Sequence, residues 1–347
     1  MKSNNLKLFF FISFTISVFI IISISGCIKQ NKNNELKEIK GEYLGQQKPG
    51  VSPQIFAPGF ISTNLGERDA AFTPDRKEFY YSLWTGSFGV ILFTKETESG
   101  WDNPEIVSFS HNYSNIEPFI TNDGKKLFFS SNRPIENTGE VKDYDIWYVT
   151  RTDSGWSEPI NVGSPVNSKA DEFYPSIADN SNIYFTAQTD KSLGSEDIWI
   201  SKFEEGKYSE PENLGENVNS KTDEFNAFIA PDESYIIFSN WGRKDGPGGG
   251  DLYISFKDEN RNWLPSKNLG ENINSPQLDF CPYITKDGKY FFFTSRRQNE
   301  KLIDNNHESY SSLKQLLNSP MNGNNDIYWM SPSPIFKLKD SVQFRNE

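Results

Sequence analysis

The sequence predicts an all-β fold, a β-propeller of four-stranded blades, with five blades favoured and six as the alternative. Three observations predict it. A unit of roughly fifty residues recurs through most of the chain, which marks stacked modules rather than one irregular domain. Each copy offers short apolar runs separated by hairpin turn residues. The 28 Phe, 15 Tyr and 8 Trp of the 347 residues suit pleated, half-buried surfaces and bury large apolar areas.

The clearest copy runs from Tyr208 to Asn262. It opens Tyr208-Ser209-Glu210-Pro211, passes through Asn213-Leu214-Gly215 to Asp223-Glu224-Phe225, gives two apolar runs at 226–230 and 235–239, and closes Asp251-Leu252-Tyr253-Ile254. The preceding stretch repeats the order with Trp156, Asn161-Val162-Gly163, Asp171-Glu172-Phe173, Ile183-Tyr184-Phe185 and Asp197-Ile198-Trp199. The following one does so with Trp263, Asn268-Leu269-Gly270, Asp279-Phe280, Phe291-Phe292-Phe293 and Asp326-Ile327-Tyr328. The first run of each unit ends in a turn, with Asp123-Gly124 and Asp287-Gly288 carrying the chemistry of a tight hairpin that needs positive φ. A second strand follows at once and a third after a variable loop. A fourth is expected near 105–108, 160–162, 213–214 and 268–269. The pieces at 54–62 and 332–338 are read as strand-like and able to latch the ring, or to build a sixth blade. One small sheet cannot hide both faces, whereas blades packed face to face in a closed ring can, leaving no unprotected end. A closed ring is also expected to be monomeric.

Residues 1–26 read as a leader: Lys2 and Lys7, an apolar run from Leu8 to Ile24, then Ser25-Gly26 before Cys27. Residues 27–54 are polar and read as a flexible tether, 55–338 as the propeller and 339–347 as a tail. Formal net charge is −12, so phosphate backbones are repelled and nucleic acid is excluded as a partner. With Cys27 spoken for, Cys281 is the other thiol of the two in the chain, and the fold is expected to stand on its core without a disulfide.

The end of the leader resembles the bacterial lipobox, which implies cleavage before Cys27, lipidation of its thiol and a membrane anchor. The repeat itself resembles the WD-like β-propeller repeat of TolB-type periplasmic proteins. That likeness rests on Pro-containing first strands, Asp-Gly hairpins, strand ends Ser131-Asn132-Arg133 and Ser295-Arg296-Arg297, and Asp-Ile-Trp or Asp-Ile-Tyr third strands, and it spans about residues 60–335. The resemblance implies an envelope binding platform for a protein or polysaccharide, facing the periplasm or the cell surface. Fold alone does not fix function.

Aligning the first strands puts Glu67, Asn115, Glu172, Glu224 and Asp279 in one column. Aligning the second-strand ends gives Trp84, Asn132, Gln188, Trp241 and Arg296, with Arg133 and Arg297 one place later. The loops carrying both columns share a face, as does the insertion 298–325 with a weakly helical run at 311–317. Acids, guanidiniums and tryptophans around one mouth suit a sugar or peptide. The ligand-binding candidates are therefore Glu67, Trp84, Arg133, Glu172, Glu224, Trp241, Asp279, Arg296 and Arg297. The acids have a second reading, as acceptors of backbone amides in the connecting loops. Asp145, Asp197, Asp251 and Asp326, which all precede third strands, are read as structural, and Trp101, Trp156, Tyr208 and Trp263 as packing between blades. No catalytic residue, metal site or cofactor is expected: His111 and His307 are the only histidines, no calcium loop is present, and the glycine run 246–250 lacks the Lys-Ser of a phosphate loop. The alternative to a binding platform is a glycoside hydrolase or lyase that pairs two carboxylates from Glu67, Glu172, Glu224 and Asp279.

Overall fold

A computed structural model describes residues 39–136, 139–304 and 308–339. The leader, Cys27 and His307 lie outside them.

The described residues form five antiparallel blades in chain order. Blade 1 is Glu67–Phe72, Glu78–Trp84, Gly89–Thr97 and Glu105–Ile106; blade 2 is Asn115–Ile120, Lys126–Ser131, Asp145–Thr152 and Ile160–Asn161. Blade 3 is Glu172–Ile177, Ile183–Ala187, Asp197–Ser201 and Glu212–Asn213; blade 4 is Asp223–Ile229, Tyr235–Trp241, Asp251–Phe256 and Lys267–Asn268. Blade 5 takes Asp279–Ile284, Phe291–Ser295 and Asp326–Met330 from its own repeat and its fourth strand, Gln54–Ile55, from the other end of the chain. Each first strand touches the first strands of its two neighbours, and blade 5 meets blade 1, so the ring closes around an axis lined by first strands.

Closure runs through Gln54 opposite Trp329 and Ile55 opposite Tyr328. The N-terminal piece thus completes blade 5, and no sixth blade forms among the described residues. The C-terminal piece is not a strand: Ser333–Phe336 is a helical turn. Pro332 and Pro334 have no N–H to give a ladder, while a helix's first turn accommodates them. The turn buries Ile335 fully and sets Phe336 edge-on to Tyr235 of blade 4 at 5.2 Å.

Of the expected tether 27–54, residues 39–54 are described, and they are packed onto the propeller. Tyr43 and Leu44 are 3% and 1% exposed, and the Trp101 amide donates to Ile39 O at 2.7 Å. From Ile39 onward the chain is strapped to the lower rim, because two apolar side chains among polar neighbours suffice to anchor it between blades 5 and 1. Inside the ring, Phe291, Phe292 and Phe293 are each buried to within 1%. Neighbouring blades cover both faces, as consecutive bulky residues require.

The hairpins and connectors use side chains in place of backbone partners. Thr121 Oγ1 donates to Asp123 Oδ1 at 2.6 Å while Asp123 also accepts the Lys125 amide at 3.0 Å, and Gly124 sits at φ 72°. In the connectors to the next blade, the Asn219 carboxamide accepts the Ile198 amide and donates to Ile198 O, both at 2.9 Å. Asn167 does the same with Ile146 and Asn274 with Leu252. Each mimics a missing strand residue and ties the connector to its third strand.

Candidate functional site

On the upper face lie the connectors entering the first strands, the loops between second and third strands, and the insertion. The acidic column begins the first strands there, yet its side chains are turned into the protein. Glu67, Glu172, Glu224 and Asp279 are at most 2% exposed. Each carboxylate accepts a backbone amide and a hydroxyl from the residue four positions earlier: Thr63, Ser168, Ser220 and Ser275 respectively. Burial pushes the pKa of Glu172 and Glu224 up to about 7 against these hydrogen bonds. These four candidates are therefore connector clamps and not ligand contacts, because a chain reversal just ahead of each strand leaves amides that need an acceptor.

Two candidate arginines are corrected as well, because their guanidiniums are engaged within the protein. Arg133 is 2% exposed; its guanidinium donates to Phe109 O at 2.7 Å and to Asn115 Oδ1 at 2.5 Å and lies over Trp147 at 5.4 Å. It replaces, in blade 2, the hydroxyl clamp the other copies use, which explains why Asn115 stands where they carry an acid. Arg297 pairs with Asp279 at 3.3 Å and covers Tyr328 at 5.0 Å. Of the third-strand aspartates read as structural, Asp197 accepts the Leu193 amide and Asn213 Nδ2, each at 2.6 Å.

Two of the remaining candidates meet. Trp84 and Arg296 line one upper-face groove of about 530 Å³ between blades 1 and 5, with Leu65, Asn324 and Asn325. Arg296 Nε donates to Asn325 Oδ1 at 2.9 Å. The insertion frames this groove: Asn322 and Asn324 both donate to Asn64 O at 3.0 Å, and the helix Tyr310–Leu317 leaves Tyr310 80% exposed. Trp241 is 52% exposed but stands on blade 4, against Gly249 and Gly250. The glycine run itself is structural, since a Cβ on Gly248 would come within 2.3 Å of Ser275 O.

The order of residues did not point to the axis. Two residues beyond the acidic column, Asp69, Glu117, Tyr174, Asn226 and Cys281 all adopt positive φ, from 48° to 65°. Each sits where the register between first and second strands shifts. A bulge re-aims a side chain, and five bulges bring these side chains together. Arg68 Nε lies 2.8 Å from Asp69 Oδ1, and its Nη2 2.8 Å from Glu117 Oε1 and 3.3 Å from Cys281 Sγ. Glu117 also accepts the Tyr174 amide at 2.7 Å and Asn226 Nδ2 at 3.2 Å. Burial drives the Glu117 pKa up to about 7, with Arg68 opposing it. The polar column in otherwise apolar strands, with Pro118, Pro175 and Pro282 directly after three of its members, was the available signal, since proline in a strand marks bulges.

Among the described residues no cluster of three or more His, Cys, Asp or Glu could hold a metal ion, and no helix is long and apolar enough to cross a membrane.

No family model matches the sequence, and no curated protein matches it. Solved structures do. The chain is similar to a protein described as TolB from Agrobacterium tumefaciens (14% identity, 67% of this chain, 70% of that one, TM-score 0.44). It is also similar to an α-L-arabinofuranosidase from Lactobacillus brevis (11%, 78% and 91%, TM-score 0.43) and to a structure described as a BT0996 RGII complex (8%, 80% and 91%, TM-score 0.50). At these identities the likeness is one of fold, and the fold is an all-β, five-bladed propeller.

Proposed function

We propose that this chain is a lipid-anchored protein of the bacterial cell envelope whose propeller binds a protein or glycan partner through its upper-face groove. The leader ending at Cys27 and its likeness to a lipobox support the anchor. The observation that carries the binding reading is the groove, lined by Trp84 and by Arg296, whose guanidinium Nε is held by Asn325. Stacking and planar donors of this kind are what sugars and peptide carboxylates use.

The hydrolytic alternative requires an acid and a base facing each other across open space. The four column carboxylates are held by amides and hydroxyls, and the axial pair Asp69 and Glu117 are both bonded to Arg68. The test is capture from solubilised envelope by the soluble form lacking residues 1–27. Trp84→Ala with Arg296→Ala is expected to abolish capture, and undiminished capture by that double variant removes the groove from the binding site.

A further inference from the structure

The lower face carries a second opening, independent of the upper groove. At four of the five junctions between blades an aromatic or aliphatic plug fills the wedge beside the second strand of the earlier blade. Between blades 1 and 2 it is Trp156, whose indole N–H donates to Tyr80 Oη at 2.9 Å and whose ring carries Arg151 at 3.8 Å. Between blades 3 and 4 it is Trp263, packed in the core that holds Tyr184 and under Lys257 at 4.6 Å. Between 4 and 5 the C-terminal turn supplies Ile335 and Phe336. Between 5 and 1 it is Trp101, capped by Tyr43 and Leu44.

The junction between blades 2 and 3 breaks the pattern. The repeated tryptophan is Tyr208 there, and the position of Tyr80 is taken by Phe128, which has no hydroxyl to meet an indole. A groove of about 800 Å³ opens at that place, with Phe128, Tyr148, Tyr208 and Phe203 along it. Lys126 caps the Tyr148 ring at 4.6 Å, and Lys207 stands on the hairpin that carries Phe203 and Tyr208.

We infer that this groove binds an extended segment of a partner protein that inserts a tryptophan or phenylalanine flanked by a carboxylate. The other four wedges of the same ring show which chemistry fits such a space, because the chain fills them with its own aromatic and aliphatic side chains. In two of them a cation covers the ring, Arg151 on Trp156 and Lys257 on Trp263; here the acids of the lining, Asp123 and Asp179, are met by Lys125 at 3.9 Å and by Asn122 Nδ2 at 2.7 Å, and Lys126 and Lys207 line the same groove as the cations for an anion beside the inserted ring. The volume is several times that of one aromatic side chain and within the range of ligand sites, so a segment and not a lone ring is the occupant. Aromatic anchors seated in a pocket carry most of the energy in such contacts.

The test uses the full chain in detergent micelles and an N-terminally fluorescein-labelled, C-terminally amidated Asp-Trp-Asp peptide, followed by anisotropy. The wild type is expected to bind it, and the same peptide with alanine for tryptophan is expected not to. Tyr208→Trp restores the side chain used at the sibling junctions. It is expected to raise the unfolding temperature and weaken peptide binding at least tenfold, while Trp84→Ala leaves peptide binding unchanged. The inference is overturned if the wild type shows no binding at millimolar peptide, if Tyr208→Trp binds as tightly as wild type, or if an oligosaccharide such as xylohexaose binds in a Tyr208→Trp-sensitive manner and the peptide does not.

Discussion

Arg68 of blade 1 reaches to the neighbouring blade, placing Nη2 2.8 Å from Oε1 of Glu117 on blade 2. The same guanidinium holds Asp69 at 2.8 Å through Nε. Both carboxyl groups are nearly inaccessible, at 2% and 4% exposure, so the cation between them offsets the cost of burying both. Removing one member of a buried charge cluster is far costlier than the cluster's net worth, because it strands the others without compensation. Arg68→Met is therefore expected to destabilise the fold by roughly 3–5 kcal/mol, and Glu117→Gln by less, since the amide can still accept the Tyr174 N–H. Urea unfolding of the two variants beside wild type checks the order; a larger loss in Glu117→Gln would contradict it.

Stability is expected to fall as pH rises from about 5 to 8. Burial raises the folded-state pKa of Glu172, Glu224 and Asp326 to about 7, above the ordinary values of 4.5 for glutamate and 3.8 for aspartate. The folded form then binds more protons than the unfolded form between the ordinary and the raised values. The stabilisation is complete below the unfolded pKa and is lost as pH passes through the folded one. Urea midpoints measured at pH 5, 6, 7 and 8 should decline, and Glu172→Gln with Glu224→Gln should flatten the curve. A profile that rises over this interval would count against buried, proton-hungry clamps.

The connector asparagines should behave as structural keystones. Asn219→Ala removes two hydrogen bonds to the backbone of Ile198 and leaves its buried amide unmatched, while the carbonyl keeps the Leu214 amide at 3.3 Å, a loss on the order of 1–3 kcal/mol. Asn217→Ala, whose side chain caps Trp263 O at 2.7 Å near solvent, should cost under about 1 kcal/mol. Thermal unfolding of both variants discriminates, and equal losses would mean the buried carboxamide has no special part.

Ring closure should depend on Phe56. This residue is fully buried and sits 5.0 Å from Phe292, 5.2 Å from Trp329 and 5.2 Å from Phe79, ring to ring. It follows the latch strand and joins the first and last blades. Phe56→Ala is expected to cost roughly 3–5 kcal/mol and to expose the junction of blades 5 and 1 to protease first. Limited proteolysis followed by mass mapping reports where cleavage begins; initial cuts elsewhere would argue against a weak seam at the latch.

At the upper groove, Trp84→Ala and Arg296→Ala are each expected to reduce partner capture several-fold with little change in unfolding temperature. Trp241→Ala, on blade 4, is expected to leave capture by this groove intact. A loss confined to Trp241→Ala would move the binding site to that blade.

Much of the strand plan was legible because its signals are local. The Asp-Gly hairpins, the paired apolar runs and the Asp-Ile-Trp third strands fell where they were read, and the insertion's helical run at 311–317 lies within the helix Tyr310–Leu317. The acidic column was correctly aligned but ambiguous, since Glu172 can serve a ligand or a neighbouring amide and nothing in the order of residues says which way its side chain turns. Arg133 and Arg296 stand at nearly the same place in the repeat. One is stacked on Trp147 and sealed, while the other lines a groove, and that difference comes from what the adjacent blade supplies.

Periodicity by itself determined that this chain makes small four-stranded sheets which have to share their aromatic faces, because the spacing of apolar residues and turn residues acts within each repeat. Tertiary structure decided the rest: that the N-terminal strand completes the last blade, that five bulges turn Asp69, Glu117, Tyr174, Asn226 and Cys281 onto one axis, and that Tyr208 leaves a wedge open where its sister tryptophans close theirs. Those outcomes hinge on positive φ at single residues and on contacts between blades far apart in the chain; the bulges leave a local mark in Pro118, Pro175 and Pro282, and the contacts leave none.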